Sequence, residues 1–196
     1  MIGNKLKNKT KTSSAGYSIV EMLVAMSIFI TVSTLSIGAF LNATEAQRII
    51  IFEETIAENV NFAVEFMSRQ MRTAVRSDNS ACIPVGDTFG TPDSSTIKFV
   101  NTDGDCVEFR IQGTVLQYTS DATPLPGLRN YIDLIISDLV QIDRFDIVID
   151  GESSGDGAHP RATISIEAIG VPQTSADPQN MVLIMQTTVS TRITDS

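Results

Sequence analysis

From Met22 to Thr44 the chain carries no charged residue, and these 23 positions constrain its fold more than any other feature. As an α-helix the run would reach about 34 Å, enough to cross a hydrocarbon core about 30 Å thick. Glu21 stands at its head and Glu45 closes it. Residues 1–16 hold four lysines (Lys5, Lys7, Lys9, Lys11) and no acid, so the charge bias predicts a cytoplasmic leader and an extracytoplasmic body. Removing those four from the 14 basic residues leaves ten against 23 acidic ones. So acidic a body repels phosphate backbones, and no specific nucleic-acid partner is expected. An ordinary secretory signal would have an apolar core of about 7–15 residues followed by a small-x-small cleavage site. The run is longer than that, and Ile37-Gly38-Ala39 and Leu41-Asn42-Ala43 match such a site poorly.

Glu21 is the anomaly. A carboxylate within a membrane helix costs about 2.5–3.5 kcal/mol on insertion scales unless it finds a partner. The residues ahead of it suggest one: the leader ends in Ser13-Ser14-Ala15-Gly16, followed by Tyr17-Ser18-Ile19-Val20-Glu21 and then the apolar run. This order resembles the type IV prepilin signal, shared by pilins and the pseudopilins of type II secretion. The resemblance implies cleavage after Gly16 by a prepilin peptidase and N-methylation of the new terminus at Tyr17, where the family usually has Phe. Glu21 then becomes the fifth residue of the trimmed chain, positioned to pair with the terminal amine of a neighbouring subunit and to set register in a filament. Many relatives have a Pro where this chain has Gly38, which also weakens a helix locally.

After Thr44 the pattern becomes amphipathic, with no Gly or Pro before Pro84. Ile49, Phe52, Ile56, Val60, Ala63, Met67 and Met71 recur at spacings of three and four, the stripe of a helix with one buried face. Acids crowd its first part (Glu45, Glu53, Glu54, Glu58, Glu65) and arginines its last (Arg69, Arg72, Arg76), an order that complements the helix dipole. Glu65 and Arg69 form an i,i+4 pair. Ser77-Asp78-Asn79-Ser80 reads as the stop, so one helix from Tyr17 to Ser77 would reach about 90 Å.

From Cys82 onward short alternating segments predict strands. Thr96–Asn101 and Cys106–Gln112 flank a Thr-Asp-Gly-Asp turn and read as a hairpin; Thr114–Thr119 follows. Thr123–Gly127 is a loop, Tyr131–Asp138 is irregular or strand, Arg144–Asp150, Arg161–Ile169 and Met181–Ser190 are strands, and Gly151–Pro160 is an exposed loop. The fold class is therefore α+β, a long N-terminal helix packed on a mainly antiparallel sheet. Four parts follow: leader 1–16, membrane and assembly half 17–44, amphipathic half 45–78, and β-rich body 79–196. Pilins and pseudopilins are built this way. The Asp-Gly-Asp-Cys hairpin and the closing Gln186-Thr-Thr-Val-Ser-Thr-Arg192 are most similar to minor subunits of the J or W type. Partners implied by the resemblance are the peptidase, sibling pilin subunits and an inner-membrane assembly platform with its ATPase. No cofactor is implied.

Other candidate sites are weaker. Cys82 and Cys106 fall in the part expected outside the cytoplasm, where disulfides persist; a bond between them would contribute about 3–4 kcal/mol, and two buried or free thiols are the alternative. The only histidine, His159, lies in the Gly-rich loop, so neither a zinc site nor a His-based triad is expected, and no catalytic residue is assigned. Asp150, Glu152 and Asp156 cluster oxygen ligands in that loop, and some pseudopilins bind calcium, but the EF-hand order is missing and a solvated loop is the expectation. The pairs Asp103/Asp105 and Asp143/Asp146 read as surface charge. A signal-anchored extracytoplasmic binding module that never polymerises is the alternative to a filament subunit.

Overall fold

A computed structural model describes residues 16–121, 129–135, 138–152, 159–173, 177 and 181–191. The leader ahead of Gly16, the predicted 123–127 loop and most of the Gly-rich loop, with Asp156, lie outside the described residues. Contacts divide the chain after Ala46.

In the first unit, helix α1 (Ile19–Met71) begins at Ile19. It is long and apolar enough to cross a membrane, and none of its most apolar 18-residue window is buried within the protein. Leu23, Ile30, Leu35 and Leu41 are all at least 60% exposed, an arrangement that leaves them to another apolar phase. Three hydroxyls in this stretch bond back within the helix: Thr31 Oγ1 donates to the Ser27 carbonyl, Thr34 to Ile30 and Ser36 to Val32, each at 2.8 Å. Such back-bonding removes the cost of carrying Ser and Thr into hydrocarbon.

In the second unit, the later turns of α1 bury Phe52, Ile56, Val60, Ala63, Met67 and Met71, the predicted stripe. Ile49, also in that stripe, is instead 37% exposed. The helix ends at Met71, short of the predicted Ser77, because the chain turns straight into a two-residue strand, β1 (Ala74–Val75), against Asn101 and Val100. Ser77 closes the following loop instead: its N–H donates to the Asp87 carbonyl, and its own carbonyl accepts from the Gly86 N–H, both at 2.9 Å.

Among the described residues nine strands form two antiparallel sheets rather than the single sheet expected. In the first, β3 (Thr96–Asn101), β4 (Cys106–Gln112), β5 (Val115–Asp121) and β6 (Ile132–Asp133) run in order, and β1 and β2 (Gly90–Asp93) both pair with β3. The β3–β4 hairpin has the predicted bounds. Its turn is held by the Asn101 side chain, whose Oδ1 accepts from the Asp103 and Asp105 N–H groups at 3.0 and 2.8 Å. Gly104 takes φ +86°, a conformation that favours glycine. The second sheet runs β7 (Val140–Asp150), β8 (Arg161–Gly170), β9 (Val182–Ser190).

One core joins the helix to both sheets. Phe99, Phe109 and Leu116 from the first sheet and Phe145, Ile164 and Ile166 from the second are at most 4% exposed and cluster with the helix stripe. Phe66 sits edge-on to Tyr118 at 5.0 Å, and an aromatic series continues through Phe109 and Phe99 to Phe89. Each alternating strand therefore faces its apolar side inward, as a half-buried sheet requires.

Candidate functional site

The residues expected to be processed come just before regular structure. Gly16, Tyr17 and Ser18 precede α1, and all three are exposed, Tyr17 by 79%. The Ser18 carbonyl accepts the Met22 N–H at 3.2 Å, placing Ser18 at the helix cap. Glu21 lies in the first turn and is exposed. The spacing Ser18-x-x-Glu21 is that of a capping box, and a carboxylate in a first helical turn is favoured by the helix dipole. Glu21 is thus compatible with the helix that carries it, while its charge has no cationic partner among the described residues.

Cys82 and Cys106 are joined by a disulfide with Cα atoms 5.5 Å apart. It ties the segment after α1 to the first residue of β4, across 24 positions of sequence. Cys106 is 5% exposed and Cys82 is half-buried. A cavity of about 450 Å³ beside the bond is lined by both cysteines together with Asn79, Val100 and Gly104. A second, of about 460 Å³, is lined by Cys82 but not Cys106, with Phe89, Pro92, Lys98 and Glu152 among its walls.

Of the weak calcium candidates, Asp150 stands 3.4 Å from Arg161 Nε. Glu152 turns inward: its two oxygens accept the Thr88 and Phe89 N–H groups at 2.7 and 3.0 Å. Among the described residues no three His, Cys, Asp or Glu side chains gather as metal ligands. Burial pushes the Glu152 carboxyl above its ordinary value and Asp87 adds to the rise, against the two N–H bonds and Arg76. His159 is exposed at the approach to β8.

Sequence reading missed a buried carboxylate with three partners. Glu108, on β4 and 5% exposed, accepts from Arg129 Nη1 at 2.5 Å, Tyr131 Oη at 3.0 Å and Lys98 Nζ at 3.1 Å. The Arg129 side chain is 7% exposed, and its Nη2 reaches Cys106 Sγ at 3.5 Å. The Arg110 guanidinium lies 3.4 Å over the Tyr131 ring. Burial, and then the bond to Glu108, raise the Tyr131 hydroxyl above its ordinary pKa. The cluster holds residues 129–133 on the outer face of the first sheet and encloses one sulfur of the disulfide. Its local sequence signals are a glutamate among apolar residues at an outward position of a strand and, opposite it in the hairpin, Lys98; Arg129 and Tyr131 are remote.

Comparisons with protein-family models, with curated proteins and with solved structures return no match.

Proposed function

We propose that the chain is a type IV pilin-like subunit, a minor pilin or pseudopilin, that assembles into a filament through its N-terminal helix. A membrane-held precursor is trimmed after Gly16 and methylated at Tyr17. Copies or siblings then pack the 17–44 segments together, with the β-rich body outward. The observation that carries this reading is the junction itself: an exposed Gly16-Tyr17 bond immediately ahead of a helix whose charge-free run, Met22 to Thr44, buries nothing within the protein. A helix whose later turns join an antiparallel body supports it further.

In this mechanism, trimming exposes a cationic amine one helical turn from Glu21. Within one subunit that amine and carboxylate are close in sequence; between subunits they pair only in one axial register, which removes the cost of a lone carboxylate in apolar surroundings. Assembly through Glu21 is tested by Glu21→Gln in the native host. The variant is expected to reach the membrane at normal level while its copies in sheared fibres fall by about tenfold, the effect of losing about 1.4 kcal/mol per contact. Incorporation at the normal level contradicts the role of Glu21.

A further inference from the structure

We propose that the Cys82–Cys106 disulfide is a thiol-exchange site of fixed polarity, opened by attack of a thiolate on Cys82 with Cys106 as the leaving sulfur. Exchange is governed by access to the attacked sulfur and by how well the other accepts negative charge. Both criteria point the same way. Cys82 is half-buried and lines a cavity that Cys106 does not reach, whereas Cys106 is 5% exposed. The surroundings of the two sulfurs are also opposite in sign. The Phe99 carbonyl oxygen lies 3.5 Å from Cys82 Sγ, where it would accept from a thiol and disfavour a thiolate. Arg129 Nη2 lies 3.5 Å from Cys106 Sγ, where a guanidinium N–H stabilises a thiolate. Of the other charges around Cys106, Glu108 is neutralised by Lys98 and Arg129, while Asp121, its neighbour across β5, and Asp105, next in sequence, oppose a thiolate. Among the described residues Arg129 is the cation that touches the sulfur.

In the opening step the incoming thiolate forms an S–S bond to Cys82 Sγ, the Cys82–Cys106 bond breaks, and its electron pair leaves on Cys106 Sγ. A second external thiolate then takes the first off Cys82, so two external thiols are oxidised to a disulfide as the protein is reduced by two electrons. Closure is the reverse: the Cys106 thiolate attacks a mixed disulfide held on Cys82. The attacking chemistry is a thiolate, from a small monothiol or from a dithiol, and either releases the segment after α1 from β4.

The test uses the full-length oxidised chain in detergent with limiting reduced glutathione, acid quench, N-ethylmaleimide and peptide mass mapping. Glutathione is expected on Cys82 and maleimide on Cys106, in about tenfold excess over the inverse adduct. Glutathione chiefly on Cys106, or shared equally, overturns the proposal. With dithiothreitol instead, both cysteines are expected to become free without a lasting adduct; a disulfide that neither reagent opens in the folded protein also overturns it. Arg129→Gln leaves Glu108 short of a partner, so Arg129→Gln with Glu108→Gln is measured beside it. Opening is expected to slow by about tenfold in the double variant with the adduct still on Cys82. An unchanged rate contradicts the assignment of Arg129.

Discussion

Gly170, at the end of β8, lies against the ring of Phe52 on α1: a Cβ on Gly170 would stand 2.8 Å from Phe52 Cε1 and would collide with Ile56 Cδ1. The second sheet and the helix approach this closely because the residue between them has no side chain. Gly170→Ala is therefore expected to destabilise the body by about 1–3 kcal/mol, the cost of overpacking a filled core. Urea unfolding followed by circular dichroism measures it. An unchanged midpoint would show that the contact relaxes freely.

Glu108 and Arg129 form a buried ion pair, with side chains 6% and 7% exposed. Removing one member leaves the other uncompensated, so Glu108→Ala is expected to cost about 3–5 kcal/mol. Glu108→Gln with Arg129→Met removes both charges and should cost less than the single change. With Glu108→Gln and Arg129→Met each also measured alone, the double-mutant cycle reads the coupling directly, and an additive result contradicts it.

Glu152 gives the body a pH dependence of definite sign. Its folded-state pKa is raised, chiefly by burial. The folded form then binds the proton more tightly than the unfolded form, so the group's stability contribution is full below the ordinary carboxylate range and is lost as pH rises through the raised value. The Tm of the native chain minus that of Glu152→Gln is expected to fall as pH is increased across that window. A difference that rises instead, or stays flat, contradicts the assignment.

Much of this fold was legible in the sequence. The stripe from Phe52 to Met71 marked the buried helix face, and Thr-Asp-Gly-Asp between two alternating segments marked the hairpin, because both signals are local. Other features lacked a local signal. The start of β7 was hidden because the register shifts between Ile142 and Arg144; Asp143 and Arg144 are both exposed, so the alternation changes phase there. β2 reads Gly-Thr-Pro-Asp, turn residues by composition, and is a strand only because the edge of β3 accepts it. The bonds of Glu152 to Thr88 and Phe89 span over 60 residues, and no periodicity announces them. The same holds for Glu108 and Arg129, which the 122–128 stretch separates along the chain.

Cys82→Ser, Cys106→Ser and the double variant are each expected to lower stability by about 3–4 kcal/mol, since breaking the 24-residue link frees the same segment in every case. Denaturant midpoints measured without reductant check this. With excess dithiothreitol the native chain should converge on the variants, and a gap that persists would place the loss elsewhere.

The central claim is that the Gly16–Tyr17 bond is a processing junction. The most direct test is the N-terminal mass of the protein purified from its native host. The proposal predicts a chain that begins at Tyr17 and is heavier than the unmodified Tyr17–Ser196 chain by one CH2, a methyl group in place of an amine hydrogen. A chain beginning at Met1, or at a site beyond Ala39, would contradict it.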